Sequence, residues 1–205
     1  MNRRQLIALV PGLVPLSASA AAAAAPVKVD ASTLFNDPEA PVGGNSQGDV
    51  TIIAFLDYNC PFCKKSAPDL DRIVSTDGKI RLIYKDWPIL TEASIYGAQV
   101  ALGAKYQGQY ETAHRALMAI PGRNIDKPTK LAAVKNTGID MARLQADINS
   151  HADAITGLLQ RNLALAEALK LEGTPIYLIG PFRFSTLDYD GFAQAVSDAR
   201  AHKPG

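Results

Sequence analysis

Two cysteines three positions apart are the residues of this sequence best suited to chemistry. Cys60 and Cys63 are the only cysteines in 205 residues, and they lie in the stretch DYNCPFCKK, from Asp57 to Lys65. By the chain-entropy formula, a structural disulfide across so short a loop contributes only about 2 kcal/mol to stability, before any strain is subtracted. The spacing therefore favours a reversible redox pair over a covalent staple.

Other uses of the two thiols fit the sequence less well. A zinc site needs about four ligands, yet the chain has no second cysteine pair, and His114, His151 and His202 have no spacing that gathers them near Cys60. Copper(I) favours soft ligands, but no methionine cluster flanks the motif. Inert core thiols remain an alternative, although the mouth between a strand and a helix is where thiols become reactive. We predict neither a metal site nor a cofactor.

The elements around the motif place Cys60 at the start of a helix. Residues Val50 to Asp57 form a nearly unbroken apolar run, which is typical of a strand buried on both faces. Pro61 suits the first turn of a helix. Cys60 is therefore predicted at the N-cap, where free backbone amides and the helix dipole favour its thiolate. Cys63, one turn further on, is predicted to be the more buried partner.

A second strand after this helix completes a parallel pair. The helical pattern continues to Asp77-Gly78, and the run from Lys79 to Trp87 again has strand character. Strand, helix and strand joined by short links form a βαβ unit with a right-handed crossover and parallel strands. Pro68 lies inside the helical pattern and predicts a kink there.

The rest of the chain divides into a helical insertion and a return to the sheet. Residues 91–171 lack a strand pattern and are punctuated by Pro-Gly and Thr-Gly pairs, which predicts four or five helices. Two strands follow, Thr174–Gly180 and Phe182–Thr186, and Gly180-Pro181 is predicted to form the hairpin turn between them. A last helix is predicted at Asp190–Ala201. The fold class is therefore α/β, with residues 26–90 and 172–205 forming one domain around the insertion.

The N-terminus is predicted to be an export signal. Arg3 and Arg4 precede an apolar stretch, and the small residues after it satisfy the A-x-A pattern several times. Residues 1–25 are therefore interpreted as a signal peptide, cleaved between Ala20 and Ala25, whose apolar part is too short to anchor in a bilayer. The general secretory route is favoured, while the arginine pair also fits a twin-arginine signal. We expect the mature protein in the periplasm.

Composition indicates a globular protein without a nucleic-acid partner. The hydrophobic fraction of 47% is ample for a core, and the formal net charge is +1. A protein that binds nucleic acid through electrostatics usually carries a strongly basic patch or stripe. No such charge excess is present.

The dipeptide Thr174-Pro175 is a second candidate element of the site. It opens a strand that should lie beside the first strand, and proline is tolerated there only at a strand start or an edge. A cis proline facing the thiols would leave the backbone groups of Thr174 free to pair with an extended peptide. Taken alone, the dipeptide favours an ordinary trans proline.

Together these features resemble the DsbA family of thioredoxin-fold thiol-disulfide oxidoreductases, particularly its shorter periplasmic members. The likeness runs from about Pro41 to Arg200, and its specific points are DYNCPFCKK, YKDWPIL, QGQYETAHRALM and GTPIYLIG, in that order. The resemblance implies a thioredoxin-like fold with a helical domain inserted after the second core strand. It also implies a cis-proline at Pro175 beside the disulfide, with Thr174 and Pro175 binding the substrate peptide.

The chain departs from the DsbA pattern at two positions near the thiols. Between Pro61 and the second cysteine it has Phe62 where DsbA has histidine, and phenylalanine cannot donate a hydrogen bond to a thiolate. Six residues before the first cysteine it has Ala54 where DsbA has a buried glutamate. Pro61, Phe62 and Asp57 are therefore expected to tune the redox pair. Asp57 is either a proton acceptor for Cys63 or a solvated strand end.

The resemblance implies a periplasmic enzyme that exchanges disulfides with unfolded or reduced client proteins through Cys60 and Cys63. A monomeric dithiol oxidase recharged by a DsbB-like membrane partner is the favoured interpretation. The alternatives are a reductase or isomerase kept reduced by a membrane donor, and a non-catalytic periplasmic binding or chaperone module. Because Phe62 replaces histidine, we expect a reduction potential of about −150 to −230 mV, between those of DsbA and thioredoxin.

Overall fold

The computed structural model describes residues 30–202, so the predicted signal peptide lies outside the described residues. Within the described part, eight helices and five strands follow one another along the chain. The strands are β1 (Val42–Gly44), β2 (Val50–Leu56), β3 (Ile80–Asp86), β4 (Ile176–Ile179) and β5 (Phe182–Phe184). The helices are α1 (Ala31–Asn36), α2 (Pro61–Asp77), α3 (Glu92–Lys105), α4 (Tyr110–Met118), α5 (Lys127–Lys135), α6 (Met141–Ser150), α7 (Ala152–Ala168) and α8 (Tyr189–Ala201).

The five strands form one mixed sheet in the order β1-β3-β2-β4-β5. Strands β2 and β3 are parallel and are joined through α2, which confirms the predicted βαβ unit. Strand β4 lies antiparallel beside β2 and turns through Gly180-Pro181 into β5, which confirms the predicted hairpin. The side chains of β2 are almost all buried, as expected of a central strand covered on both faces.

Helix α2 carries the cysteine motif, and both of its ends are defined by residues suited to start or stop a helix. Pro61 occupies its first turn, and the helix continues through Pro68 to Asp77. Gly78 ends the helix in the left-handed conformation, with φ of +68°, and donates its N–H to the carbonyl of Val74. One face of the helix is buried against the sheet and α8, and it is formed by Cys63, Ser66, Ala67, Leu70, Ile73 and Val74.

The helical insertion consists of α3 to α7, between β3 and β4. This arrangement confirms an insertion after the second strand of the βαβ unit. Side chains of Thr91, Asp126 and Asp140 accept backbone N–H groups at the starts of α3, α5 and α6, so polar residues fix where these helices begin. Helix α3 packs on α4, α5 and α6, and it is the central helix of the insertion.

Two elements of the structure were absent from the sequence-based prediction. The short helix α1 and the strand β1 lie in the lead-in before β2, where glycine and proline weaken any periodic pattern. Strand β1 pairs antiparallel with β3, and a Cβ at Gly44, where φ is +66°, would collide with the backbone carbonyl oxygen of Ile80. Close packing therefore requires glycine there, and glycine also hides the strand from pattern-based prediction.

We expect substitution of Gly78 by alanine to lower the free energy of unfolding by about 1–2 kcal/mol, because an L-residue is disfavoured in the left-handed region. Nothing lies within 4 Å of a Cβ placed at Gly78, so no clash contributes. Gly173→Ala is the matched control, since its site is equally open and its φ lies outside the positive range. Urea denaturation checks both variants, and equal losses would contradict the conformational explanation.

Candidate active site

Cys60 is the N-cap of α2. The chain leaves β2 at Leu56, turns through Asp57 to Asn59, and enters the helix at Pro61. The Cys60 Sγ accepts a hydrogen bond from the backbone N–H of Cys63 at 3.3 Å. The position predicted from Pro61 is therefore confirmed, and the sulfur lies where free helical amides favour negative charge.

The surroundings of Cys60 favour its thiolate. Its pKa is lowered to about 6, first by the hydrogen bond with the Cys63 side chain, then by Thr174 and by the backbone amides of Cys63 and Phe62, against an opposing effect of burial. The protonated Cys60 thiol donates to the Thr174 carbonyl at 3.1 Å. The buried Thr174 hydroxyl has no hydrogen-bond partner among residues 30–202. These surroundings favour the thiolate form of Cys60.

Cys63 has the opposite character. Its side chain is fully buried between α2 and the sheet. Burial raises the pKa of Cys63 well above its usual value, and the neighbouring Cys60 raises it further. Both cysteines are free thiols here. The pair therefore consists of one sulfur that ionises readily and one that holds its proton.

The second predicted element lies directly opposite the thiols. The Thr174-Pro175 peptide bond is cis, which confirms the reading implied by the family resemblance. Pro175 is buried and Thr174 is half-buried. Because β4 runs antiparallel to β2, the start of β4 lies at the same edge of the sheet as the end of β2. The sheet thus brings residues more than a hundred positions apart in sequence into contact.

Asp57 is buried, and both of its carboxylate oxygens accept hydrogen bonds. Its Oδ1 accepts the N–H of Asn59 at 2.6 Å, and its Oδ2 accepts the N–H groups of Ile89 and Leu90 at 2.9 and 3.0 Å. Of the two roles considered from sequence, a solvated strand end does not match this geometry. The carboxylate ties the turn before Cys60 to the loop after β3. Its influence on the redox pair remains a prediction.

Asn59 and Lys130 link the cysteine turn to the helical insertion. The Asn59 Oδ1 accepts hydrogen bonds from Lys130 Nζ at 2.6 Å and from the Ile125 N–H at 3.1 Å. Its Nδ2 donates to the Thr91 hydroxyl at 2.7 Å. Lys130 is completely buried, and burial lowers its pKa to about 8. Sequence reasoning missed this contact because Lys130 follows Asn59 by 71 positions, with no local signal.

A second polar cluster lies behind the turn, around Tyr58. The Tyr58 hydroxyl is 3.0 Å from His114 Nδ1, and the nearby Tyr110 hydroxyl donates to Asp86 at 3.0 Å. Burial raises the pKa of Asp86 to about 7 and lowers that of His114 to about 3. His114 is therefore a neutral histidine in the core.

An open groove of about 400 Å³ passes the reactive thiol. It is lined by Asn59, Cys60, Pro61, Phe62, Leu90, Thr91, Arg123, Asn124, Gly173 and Thr174. Phe62 is 58% exposed and Leu90 is 49% exposed, so the groove offers large apolar side chains to solvent. A larger cavity, of about 880 Å³, lies at the opposite end of the sheet, around Val50 and Phe182, and contains neither cysteine.

Two other kinds of site were sought among residues 30–202. In that part of the chain, no group of three or more His, Cys, Asp or Glu side chains is arranged to hold a metal ion. None of the helices described there combines the length and apolar character needed to cross a membrane.

Comparison with known proteins relates the chain to thioredoxin-like proteins over most of its length. The family model described as Thioredoxin matches residues 36–198. A thioredoxin-like oxidoreductase from Silicibacter pomeroyi DSS-3 is 36% identical, with a TM-score of 0.78 over 85% of this chain and 99% of that chain. The thiol-disulfide exchange protein alpha-DsbA2 from Wolbachia pipientis is 30% identical, with a TM-score of 0.76 over 82% and 90%.

Other relatives are less similar in sequence, and some of them are much longer proteins. A periplasmic thioredoxin-like protein from Salmonella enterica serovar Typhimurium is 27% identical, with a TM-score of 0.72 over 83% of this chain and 95% of that chain. Curated relatives include Na(+)/H(+) antiporters NhaA 1 from Mycobacterium and Salinispora, which are 22–23% identical over 75–78% of this chain. The chain spans only 24% of the length of those antiporters.

The family match and the geometry of the thiols agree. The matched region includes both cysteines, the cis-proline and the helical insertion. The chain belongs to the thioredoxin family, in its DsbA-like group, and is a thiol-disulfide oxidoreductase whose redox pair is Cys60 and Cys63.

Proposed function

We propose that this protein is a periplasmic dithiol oxidase, which transfers its Cys60–Cys63 disulfide to cysteine thiols of client proteins. The observation that carries the proposal is the unequal character of the two thiols, with the pKa of Cys60 lowered to about 6 and that of Cys63 raised. A thiol of low pKa is a good leaving group, so a disulfide that contains it is readily passed on.

The reaction proceeds through a mixed disulfide. A client thiolate attacks Cys60 Sγ, the Cys60–Cys63 bond breaks, and its electron pair passes to the Cys63 sulfur. The second client thiolate then attacks the client sulfur of the mixed disulfide and expels Cys60 as a thiolate. The client loses two electrons and two protons. One proton ends on Cys63 and the other enters solvent, because Cys60 stays ionised at neutral pH.

The groove beside Cys60 supports binding of an extended, unfolded client. The Thr174 backbone lies within hydrogen-bonding distance of Cys60, so a peptide disulfide-bonded to Cys60 would run alongside it. Exposed Phe62 and Leu90 provide apolar contacts of low specificity. In this proposal Thr174 and Pro175 bind the client backbone, and unfolded proteins of varied sequence are accepted.

The proposal also covers the cellular location of the protein and the direction of electron flow. The Arg3-Arg4 export signal and the periplasmic description of the Salmonella relative support a periplasmic site of action. Oxidase activity needs an electron acceptor, and a DsbB-like membrane quinone reductase would regenerate the disulfide. A reductase or isomerase would instead be kept reduced by a membrane thiol donor. Alkylation trapping in cells distinguishes the two, since a mostly reduced pair would exclude an oxidase.

Titration of the reduced protein should show the Cys60 thiolate forming with a midpoint near pH 6. The ultraviolet absorbance of the thiolate measures this transition. Because this pKa is lower in the folded than in the unfolded chain, the stability that it contributes is present above about pH 8.5 and is lost as pH falls through about 6. The oxidised protein lacks this dependence and is the control. A midpoint above 8 would contradict the proposed activation of Cys60.

Cys60→Ser is expected to abolish oxidation of a reduced dithiol client, because the variant cannot form the internal disulfide. Cys63→Ser, incubated with a client that carries a disulfide, should instead accumulate a stable mixed disulfide at Cys60, detectable by mass spectrometry: the Cys60 thiolate attacks the client disulfide and releases one client thiolate, and the internal thiol that would resolve the product is missing. Unchanged client oxidation by Cys60→Ser would show that the protein is a binding or chaperone module with vestigial thiols.

Phe62→His is expected to raise the reduction potential toward the DsbA value of about −120 mV, because imidazole can donate a hydrogen bond to the Cys60 thiolate. Glutathione-equilibrium titration measures the change, starting from a wild-type value of about −150 to −230 mV. Phe62→Leu is the matched control, since leucine retains the exposed apolar character and adds no donor. A wild-type potential already near −120 mV would refute the role assigned to Phe62.

A further inference from the structure

Two buried hydroxyls join the cysteine helix to β4 beside Cys63. The Ser66 Oγ and the Tyr177 Oη are 2.5 Å apart, and both side chains are almost completely buried. Ser66 lies one turn after Cys63 on the buried face of α2, and its hydroxyl is also 3.1 Å from the Phe62 carbonyl and 3.4 Å from the Cys63 carbonyl. The pair therefore connects β4 to the backbone of the first turn of α2.

The sheet explains why a tyrosine reaches this position. Tyr177 is the cross-strand partner of Ala54, so the two side chains project from the same face of the sheet. Both side chains are completely buried. The ring of Phe192, in α8, packs edge-on against Tyr177 with centroids 4.9 Å apart. The Tyr177 ring is thus held between α2 and α8, with its hydroxyl directed to Ser66.

The Tyr177 hydroxyl is also electrostatically linked to the thiols. Its pKa is raised first by burial and further by the charges of Cys63 and Cys60. A tyrosine with a raised pKa remains protonated throughout the working pH range, so it stays available as a hydrogen-bond donor. The protonated hydroxyl therefore keeps its contact with Ser66 at every working pH.

Thiol exchange requires the buried Cys63 sulfur to carry a negative charge for a short time. When a client thiolate opens the disulfide, the electron pair arrives on a sulfur that is fully buried and that ionises reluctantly. Stabilisation of a buried anion requires oriented donors and a fixed position, because mobile water is excluded. Neither Phe62 nor Ala54 can donate a side-chain hydrogen bond.

We propose that Tyr177 and Ser66 are positioning residues for the exchange reaction. Their paired hydroxyls hold the first turn of α2 against β4, and they thereby fix the position of Cys63 while its sulfur becomes negative as the disulfide opens or closes. This role deepens the proposed function but does not depend on the direction of electron flow. Opening and closing pass through the same Cys63 thiolate, so an oxidase and a reductase would need the pair equally.

The reaction of the reduced protein with 5,5′-dithiobis(2-nitrobenzoate) isolates the Cys63 step without any client. Cys60 attacks the reagent and releases one thionitrobenzoate. Cys63 then attacks the mixed disulfide at Cys60 and releases a second, so the pH profile of the second phase reports ionisation and positioning of Cys63. The charged groups that interact with Cys63 are Cys60, at the start of α2, and Lys64, within α2, and both remain unchanged in the variants used.

Tyr177→Phe is expected to slow the second phase about tenfold at fixed pH and to shift its pH profile upward by about one unit, with the first phase little changed. Ser66→Ala should act in the same direction and provides a second route should Tyr177→Phe fold poorly. Tyr84→Phe is the matched control, because it removes a buried β-strand hydroxyl that donates to Glu111 at 3.0 Å rather than to α2.

The outcomes separate the inference from the proposed function. A second-phase profile in Tyr177→Phe and Ser66→Ala that coincides with wild type would overturn the inference. Equal slowing by Tyr84→Phe would also overturn it, because general loss of stability would then account for the effect. Failure of the wild-type protein to oxidise a client dithiol, with a normal second phase, would overturn the proposed function and leave this inference intact.

Discussion

The hydrogen bond from the Cys63 amide to the Cys60 sulfur is the constraint on which the site depends. It forms only if Cys60 lies just outside α2 and Cys63 just inside it, which requires β2 to end and α2 to begin within a few residues. One sulfur then receives helical amides, while the other is buried against the sheet. The chemical difference between two identical side chains therefore comes from the backbone that surrounds them.

The Asn59 side chain connects the helical insertion to the turn before Cys60. Asn59 precedes Cys60 and contacts α5 through Lys130 and the start of α3 through Thr91. Asp57 binds the backbone of the loop between β3 and α3. These contacts place the insertion and the turn before the thiol in one hydrogen-bonded unit. Since a buried lysine is costly without a partner, Asn59 and Lys130 depend on each other for stability.

Local pattern in the sequence was sufficient for β2, for α2 and for the N-cap position of Cys60. The apolar run of β2, Pro61 and the Cys60-Cys63 spacing each identify a feature within a few residues. The cis state of Pro175 needed the family resemblance, because a Thr-Pro dipeptide alone does not distinguish the isomers. Lys130 and Tyr177 were missed, because their importance arises from contacts made across the fold. Strand β1 was missed because its glycines pair through backbone alone.

The exposure of Phe62 has a consequence for how this protein can diverge. Residues that set the structure of the site, such as Cys63 and Asp57, are buried, so changing them disturbs packing. Phe62 lies between the cysteines yet is 58% exposed, and most exposed positions tolerate substitution within about 0.5 kcal/mol. If Phe62 tunes the redox pair as predicted, the reduction potential and the fold stability are largely independent at this position. A single surface substitution would then change the oxidising power while the scaffold stays the same.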